Sequence, residues 1–196
     1  MAFEQVKKHL EQNGYTVSIF QTAEEAADYL NREIDWVSVG IGGSVTVEDM
    51  GLYESLSAHN RVYWHWREKD VFSAAAAADV YLLSPNAIAE STGEIINIDG
   101  TGNRVSSSLF GHKKVFFIAG KNKLAPDFDS ALWRARNVAA PKNAQRLGRK
   151  TPCAIKGDRC YDCDSPERIC RGLVVHYGKM NAMDNGAAIS EVTCRL

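Results

Sequence analysis

Trp36-Val37-Ser38-Val39-Gly40-Ile41-Gly42-Gly43-Ser44-Val45-Thr46 decides the fold. A short apolar run, Trp36 to Val39, leads into glycines and hydroxyl residues, and a helix is predicted after them from about Val47 to Leu56. Strand, glycine turn, helix is the opening of a parallel α/β unit. Glycines let the backbone turn tightly and present N–H groups, and the start of the next helix adds partial positive charge. Gly40, Gly42, Gly43, Ser44 and Thr46 are therefore candidate contacts for a phosphate or carboxylate. The same residues also make sense as a plain tight turn with Ser44 or Thr46 as helix cap. It is not a P-loop, because no Gly-Lys-Ser/Thr follows. Nor is it a full dinucleotide fingerprint, because Val45 stands where the last glycine belongs.

The pattern repeats outward. Phe3, Val6 and Leu10 recur at helical spacing before Gly14, and Tyr15 to Phe20 reads as a strand. Thr22 and Glu25 form a capping box ahead of Ala26, Ala27 and Leu30. Strands are predicted at Arg61–Trp66, Val80–Leu83, Ile95–Ile98, Val115–Ala119 and Leu173–Tyr177. Helices are predicted at Ala74–Ala78 and Val105–Phe110, from Asp127 or Asp129 to Val138, and from Pro141 to Leu147. Short apolar strands alternating with helices define an α/β fold with a mainly parallel sheet and flanking helices, expected as a single domain over residues 1–196. Polar, glycine-rich segments follow three strands, at Gly40, Ser84 and Gly120. That edge of an open α/β sheet is where ligands bind.

Composition narrows the classes. The 196 residues carry a formal net charge of −1, with 45% hydrophobic and 24% charged residues, which excludes disordered, collagenous and coiled-coil chains. Residues 1–100 hold 6 Lys+Arg against 16 Asp+Glu, net −10, and residues 101–196 hold 17 against 8, net +9. No basic stripe with interleaved aromatics and no zinc-finger spacing is present, so no nucleic-acid partner is expected. No apolar run is long enough for a membrane span. Charged residues fill the positions a signal-peptide core would occupy, so the expected location is cytoplasmic.

Two further clusters carry chemistry. Asn86, Glu90, Asp99, Thr101, Asn103 and Arg104 are dense in donors, acceptors and charge. A guanidinium and amides beside carboxylates can orient an anionic ligand, and Glu90 or Asp99 are the candidate acid/base or nucleophilic groups. The alternative is a pair of Asx-type turns with Arg104 tied to Asp99. Lys121 and Lys123 follow the next strand as an anion clamp or a solvated loop. The second cluster is Cys153, Cys160, Cys163 and Cys170 within a loop region at 151–171. The central C-x2-C can chelate one metal or cluster, and the outer pair completes a four-thiolate set for zinc or an iron–sulfur cluster. A redox pair at Cys160 and Cys163, or four inert thiols, are the alternatives. Residues 141–171 carry 8 Lys+Arg against 4 Asp+Glu, a surplus that would balance four thiolates. Cys194 is read as unrelated. His9, His59 and His112 are read as surface residues, His65 and His176 as core or edge, and the four tryptophans as core.

Taken together the motifs resemble the lactate-utilisation (LUD domain) family. The resemblance rests on Val39–Thr46, Ser84–Ile88, Asn97–Arg104, Gly120–Lys123, Arg136–Asn143, Thr151–Cys153 and Cys160–Cys170, in order along nearly the whole chain. It implies a fold similar to the sugar-phosphate isomerase and CoA-transferase superfamily. It also implies a role near oxidation of lactate or another organic acid by multi-subunit iron–sulfur systems. The expected ligand is a small anion: an organic acid, a sugar phosphate or a CoA thioester. Partner subunits or a homo-oligomer are expected. The chain lacks the ferredoxin-like C-x2-C-x2-C module of the larger subunit of those systems. Two other readings stand beside this one: an isomerase- or transferase-like enzyme, and a non-catalytic sensing or assembly subunit with structural zinc.

Overall fold

The short apolar runs become the strands of a six-stranded, wholly parallel sheet. A computed structural model of the protein describes residues 2–190, so Cys194 lies outside the described residues. The strands in chain order are β1 (Thr16–Phe20), β2 (Ser38–Ile41), β3 (Arg61–Trp64), β4 (Val80–Leu83), β5 (Ala87–Ala89), β6 (Ile95–Asp99), β7 (Lys114–Gly120), β8 (Leu124–Ala125), β9 (Gly172–His176) and β10 (Asp184–Ser190). The main sheet runs β1-β10-β7-β4-β2-β3. A second, four-stranded sheet runs β8-β5-β6-β9, with β6 antiparallel to both its neighbours.

Alternation along the strands builds two cores. Val80, Leu82, Phe116 and Ile118 point to one face, with Leu30, Ile34 and Leu56 packed over them. Tyr81, Leu83, Val115 and Phe117 point to the other, where Val6 and Leu10 and the second sheet's Ile88 and Ile95 cover them. The second sheet's opposite face, with Ala87, Ala89, Ile96 and Ile98, packs on Ala131, Ala135 and Ala140. Apolar residues on both faces are what a buried parallel strand requires.

The helices are α1 (Ala2–Gln12), α2 (Ala23–Glu33), α3 (Val45–Asp49), α4 (Leu52–Ser57), α5 (Phe72–Ala76), α6 (Asn103–Leu109), α7 (Phe128–Arg134), α8 (Ala140–Arg146) and α9 (Pro152–Lys156). The capping box before α2 forms as expected: the Glu25 amide donates to Thr22 Oγ1, and Glu25 Oε2 accepts from the Thr22 amide. Asp127, not Asp129, caps α7, its Oδ1 accepting from the Ser130 amide at 2.7 Å. The helix expected over 47–56 is two short ones, because Gly51 adopts φ +62° between them. Among the described residues no helix is long and apolar enough to cross a membrane.

Three strands escape the sequence pattern. β5 and β8 are too short for periodicity, and β10 reads Asp-Asn-Gly-Ala-Ala-Ile-Ser, poor in β-formers. Yet β10 lies in the interior of the main sheet. Its small residues fit because Phe116 on β7 lies over them: a Cβ on Gly186 would sit 2.8 Å from that ring. One surface expectation and two core expectations also change. His112 is 4% exposed, with Nδ1 2.7 Å from the Ala78 carbonyl, while Trp36 and Trp133 are 84% and 60% exposed.

Candidate functional site

From β2 the chain steps out to β3, then crosses back to β4 on the other side of β2. Such a switch point leaves a crevice at the carboxyl ends of the strands. A cavity of about 470 Å³ lies there. Gly43 lines it after β2, His65 and Trp66 after β3, and the Asp99–Arg104 segment after β6, with Arg146 and Arg149 on one side and segment 166–171 as a wall.

The polar stretch folds around Asp99. Its Oδ1 accepts from the Thr101 amide at 3.1 Å, and its Oδ2 from the amides of Arg104 at 2.9 Å and Val105 at 3.3 Å. Both oxygens thus close the turn into α6, as an Asx-type cap does. Asp99→Asn keeps one acceptor but turns an NH2 toward these amides. It is expected to lower the urea-denaturation free energy by about 1–2 kcal/mol.

Arg104 passes beneath the glycine loop. A Cβ on Gly42 would stand 2.6 Å from Arg104 Cγ, so the glycine lets the loop lie on that side chain. Arg104 Nη2 donates to the Ser84 carbonyl at 3.0 Å and to Asn97 Oδ1 at 2.8 Å, and Nη1 to the Ile98 carbonyl at 3.3 Å. Asn86 Oδ1 accepts from the Ile98 amide at 2.6 Å and from Arg104 Nη2 at 3.4 Å. Burial pulls the Arg104 pKa below its ordinary value, and the Asp99 charge opposes that.

The remaining predicted contacts divide. Asn86, Thr101 and Asn103 line the cavity with Arg104, and of the glycine loop Gly43 does so. Gly40 is a packing glycine inside β2, Ser44 caps α3 by accepting from the Val47 amide, and Thr46 is buried. Glu90, Lys121 and Lys123 are not among the lining residues. Glu90 follows β5, where its amide donates to the Ala125 carbonyl and its own carbonyl lies 2.8 Å from His9 Nδ1. Lys121 and Lys123 occupy a 3-10 turn after β7, with Lys123 buried.

What the sequence reading missed is the basic wall. Arg146, Arg149, Arg168 and Arg171 all face the cavity. Arg146 donates from Nε and Nη2 to Asn143 Oδ1 and lies 5.0 Å from the Trp66 ring centre. His65, read as core or edge, also lines the cavity. It stacks on Phe72 at 4.8 Å, and burial lowers its pKa against the pull of Asp99.

The cysteine loop is the back of the same wall. Cys153, Cys160, Cys163 and Cys170 are free thiols that share one apolar cavity of about 20 Å³. N–H donors reach two of the sulfurs, and the Thr151 hydroxyl contacts a third. The Asp162 amide lies 3.3 Å from Cys160 Sγ, Arg168 Nε 3.2 Å from Cys170 Sγ, and Thr151 Oγ1 3.3 Å from Cys153 Sγ. Such donors suit thiolates, and so a thiolate-bound metal or cluster. Among the described residues, no three His, Cys, Asp or Glu side chains are gathered closely enough to hold a single ion. The loop is pinned to both sheet and helix. The Arg171 amide donates to the Asp99 carbonyl, the Cys160 amide to Asn137 Oδ1 in the π-turn 135–139, and Gly100 leaves room for the Ile169 carbonyl, 2.6 Å from where a Cβ would be.

Fold and site together define an α/β protein with a basic cavity at the switch point of a parallel sheet and a four-cysteine loop behind it. The chain belongs to the LUD domain family, whose model matches residues 3–182. No curated protein matches it. A similar solved structure is the crystal structure of a DUF162 family protein from Deinococcus radiodurans, with TM-score 0.58 and 12% identity over 96% of each chain.

Proposed function

We propose that this protein is a lactate-utilisation-type subunit that binds a small anionic ligand in the switch-point cavity and, with its thiols drawn closer together than they stand here, a metal or iron–sulfur centre at Cys153, Cys160, Cys163 and Cys170. The observation that carries this reading is the shared wall: Arg168 and Ile169 line both the cavity and the thiol site behind it, which Cys163 and Cys170 also face. An iron–sulfur centre bound there would supply one-electron transfer next to the ligand, as an organic-acid oxidation system needs. Arg104, Arg146 and the wall arginines would hold and orient the anion. His65, a ring whose burial favours the neutral form, is placed to move a proton. The geometry gives a transferase-like reading less support, because Glu90 lies off the cavity and both Asp99 oxygens are engaged by backbone amides.

Anaerobic purification, metal analysis and absorbance spectra test the proposal. Iron with a visible chromophore, reduced in Cys160→Ser, is the expected result. Colourless protein with about one zinc per chain, and a melting temperature that falls on chelation, would mark the centre as structural. Metal-free protein whose Cys160→Ser variant melts unchanged would overturn the thiolate site.

A further inference from the structure

The cavity is far more basic than a single carboxylate requires. Five arginines line it against two carboxylates, Asp99 and Glu167. Asp99 is tied to backbone amides, and Glu167 Oε2 accepts from the Lys150 amide at 2.8 Å. The positive charge also comes from separate segments of the chain, two of which matter here.

The first is the start of α6, with Arg104. All its hydrogen-bond acceptors are neutral oxygens, those of Ser84, Asn86, Asn97 and Ile98. Its Nε is buried with no hydrogen-bond partner. Asp99 acts on it through space but spends its oxygens on backbone amides, so a desolvated guanidinium hydrogen-bonded only to neutral groups leaves a place for an anion. Gly43, Trp66 and Arg146 line the cavity with it: Trp66 lies 3.4 Å from where a Gly43 Cβ would be, and Arg146 stacks on Trp66.

The second is the cysteine loop, with Arg168 and Arg171, whose guanidinium groups are tethered by carbonyl oxygens and, for Arg168, also by Cys170 Sγ at 3.2 Å. Arg171 donates to the carbonyls of Arg168 at 3.0 Å and Pro166 at 2.8 Å, and Arg168 to those of Cys170 and Cys163. Tethering removes side-chain freedom before any ligand arrives. The nearest carboxylate to Arg168 is that of Asp162, at 3.9 Å. The whole cavity is about 470 Å³, room for about 15 water-sized volumes and well beyond a three-carbon monocarboxylate.

We infer that the ligand carries two anionic groups on one skeleton, one seated at Arg104 beside the glycine loop and one at the Arg168–Arg171 wall: a dicarboxylic or phosphorylated organic acid. This rests on the small-anion reading of the cavity and narrows it.

Calorimetric titration at fixed ionic strength with lactate, malate and phosphoglycolate tests it. Malate or phosphoglycolate is expected to bind at least about ten-fold more tightly than lactate, and which of the two wins tells carboxylate from phosphate at the second seat. In Arg171→Gln the preference is expected to shrink to about three-fold or less, the affinity for the doubly charged acids falling more than that for lactate. Glu90→Gln, off the cavity, leaves all affinities as they were. Lactate binding as tightly as both dianions would overturn the inference and leave the small-anion reading standing. A preference untouched in both Arg171→Gln and Arg168→Gln would overturn the placement of the second group. Failure of all three probes to bind would overturn both.

Discussion

Gly40→Ala is expected to remove about 3 kcal/mol of stability, a fall of about 6–12 °C in melting temperature for a chain of this size. The reason is backbone against backbone. A Cβ at position 40 would stand 2.4 Å from the Ala75 carbonyl oxygen and 2.7 Å from the Tyr81 ring. A side chain can rotate away from such overlap. The Ala75 carbonyl cannot, because it belongs to α5, whose own hydrogen bonds fix it. Relief requires α5 to lift from β2, next to the glycine loop that borders the cavity. Chemical denaturation reads this as a lower midpoint at unchanged slope. Gly51→Ala is the matched control. Nothing lies within 4 Å of its Cβ, so it pays only for its positive φ, about 1 kcal/mol. If Gly40→Ala costs no more than Gly51→Ala, the tight contact does not hold in solution.

Stability is expected to fall by about 3 kcal/mol as the pH drops from 7 toward 4, through His176. This ring is 1% exposed, and burial pushes its pKa down from 6.5 to about 4. Ser108 Oγ lies 3.0 Å from His176 Nε2 and donates its own proton to the Val105 carbonyl at 2.8 Å. The ring is therefore the donor in that pair, and it is satisfied when neutral. The sign follows. Between about pH 6.5 and 4 the unfolded chain takes up a proton that the folded chain refuses, so the stability present above pH 6.5 is lost across that interval. His112, also lowered by burial, adds in the same direction. Denaturation curves at pH 7 and 4.5 check this. His176→Gln, which keeps a donor toward Ser108, is expected to flatten much of the dependence. An unflattened curve would place the titrating group elsewhere.

The frame of the fold was legible because local signals and burial agree. Thr22 and Glu25 announced α2, and the apolar runs at 80–83 and 115–119 announced the sheet's interior. β10 was invisible because its interior position depends on Phe116 filling the space over Gly186, a fact about a partner strand. Asp99, Thr101, Asn103 and Arg104 were found because they lie within six residues of one another. Arg146, Arg149, Arg168 and Arg171 were not, since two separate segments deliver them to the cavity from far along the chain and no spacing rule joins those segments to residues 99–104. Asp99 looked reactive in sequence for the same reason that it caps a turn: a short acceptor beside glycines serves either use, and only the amide contacts distinguish them. His65 was hidden by its apolar neighbours, although it lies just past a strand's carboxyl end.

The interior place of β10 also governs when the sheet can close. Among the described residues β1 pairs with β10 alone, and Thr16 lies opposite Gly186, 170 positions later. A chain growing from a ribosome therefore makes one of its first strands long before that strand has a neighbour. Until residue 190 emerges, the flank of β7 that β10 will cover stays open as well. Loop closure over that span and the exposed strand flanks are features of slow folding and of self-association on the way. A chain that stops before Asp184 forfeits two strands of the sheet rather than one.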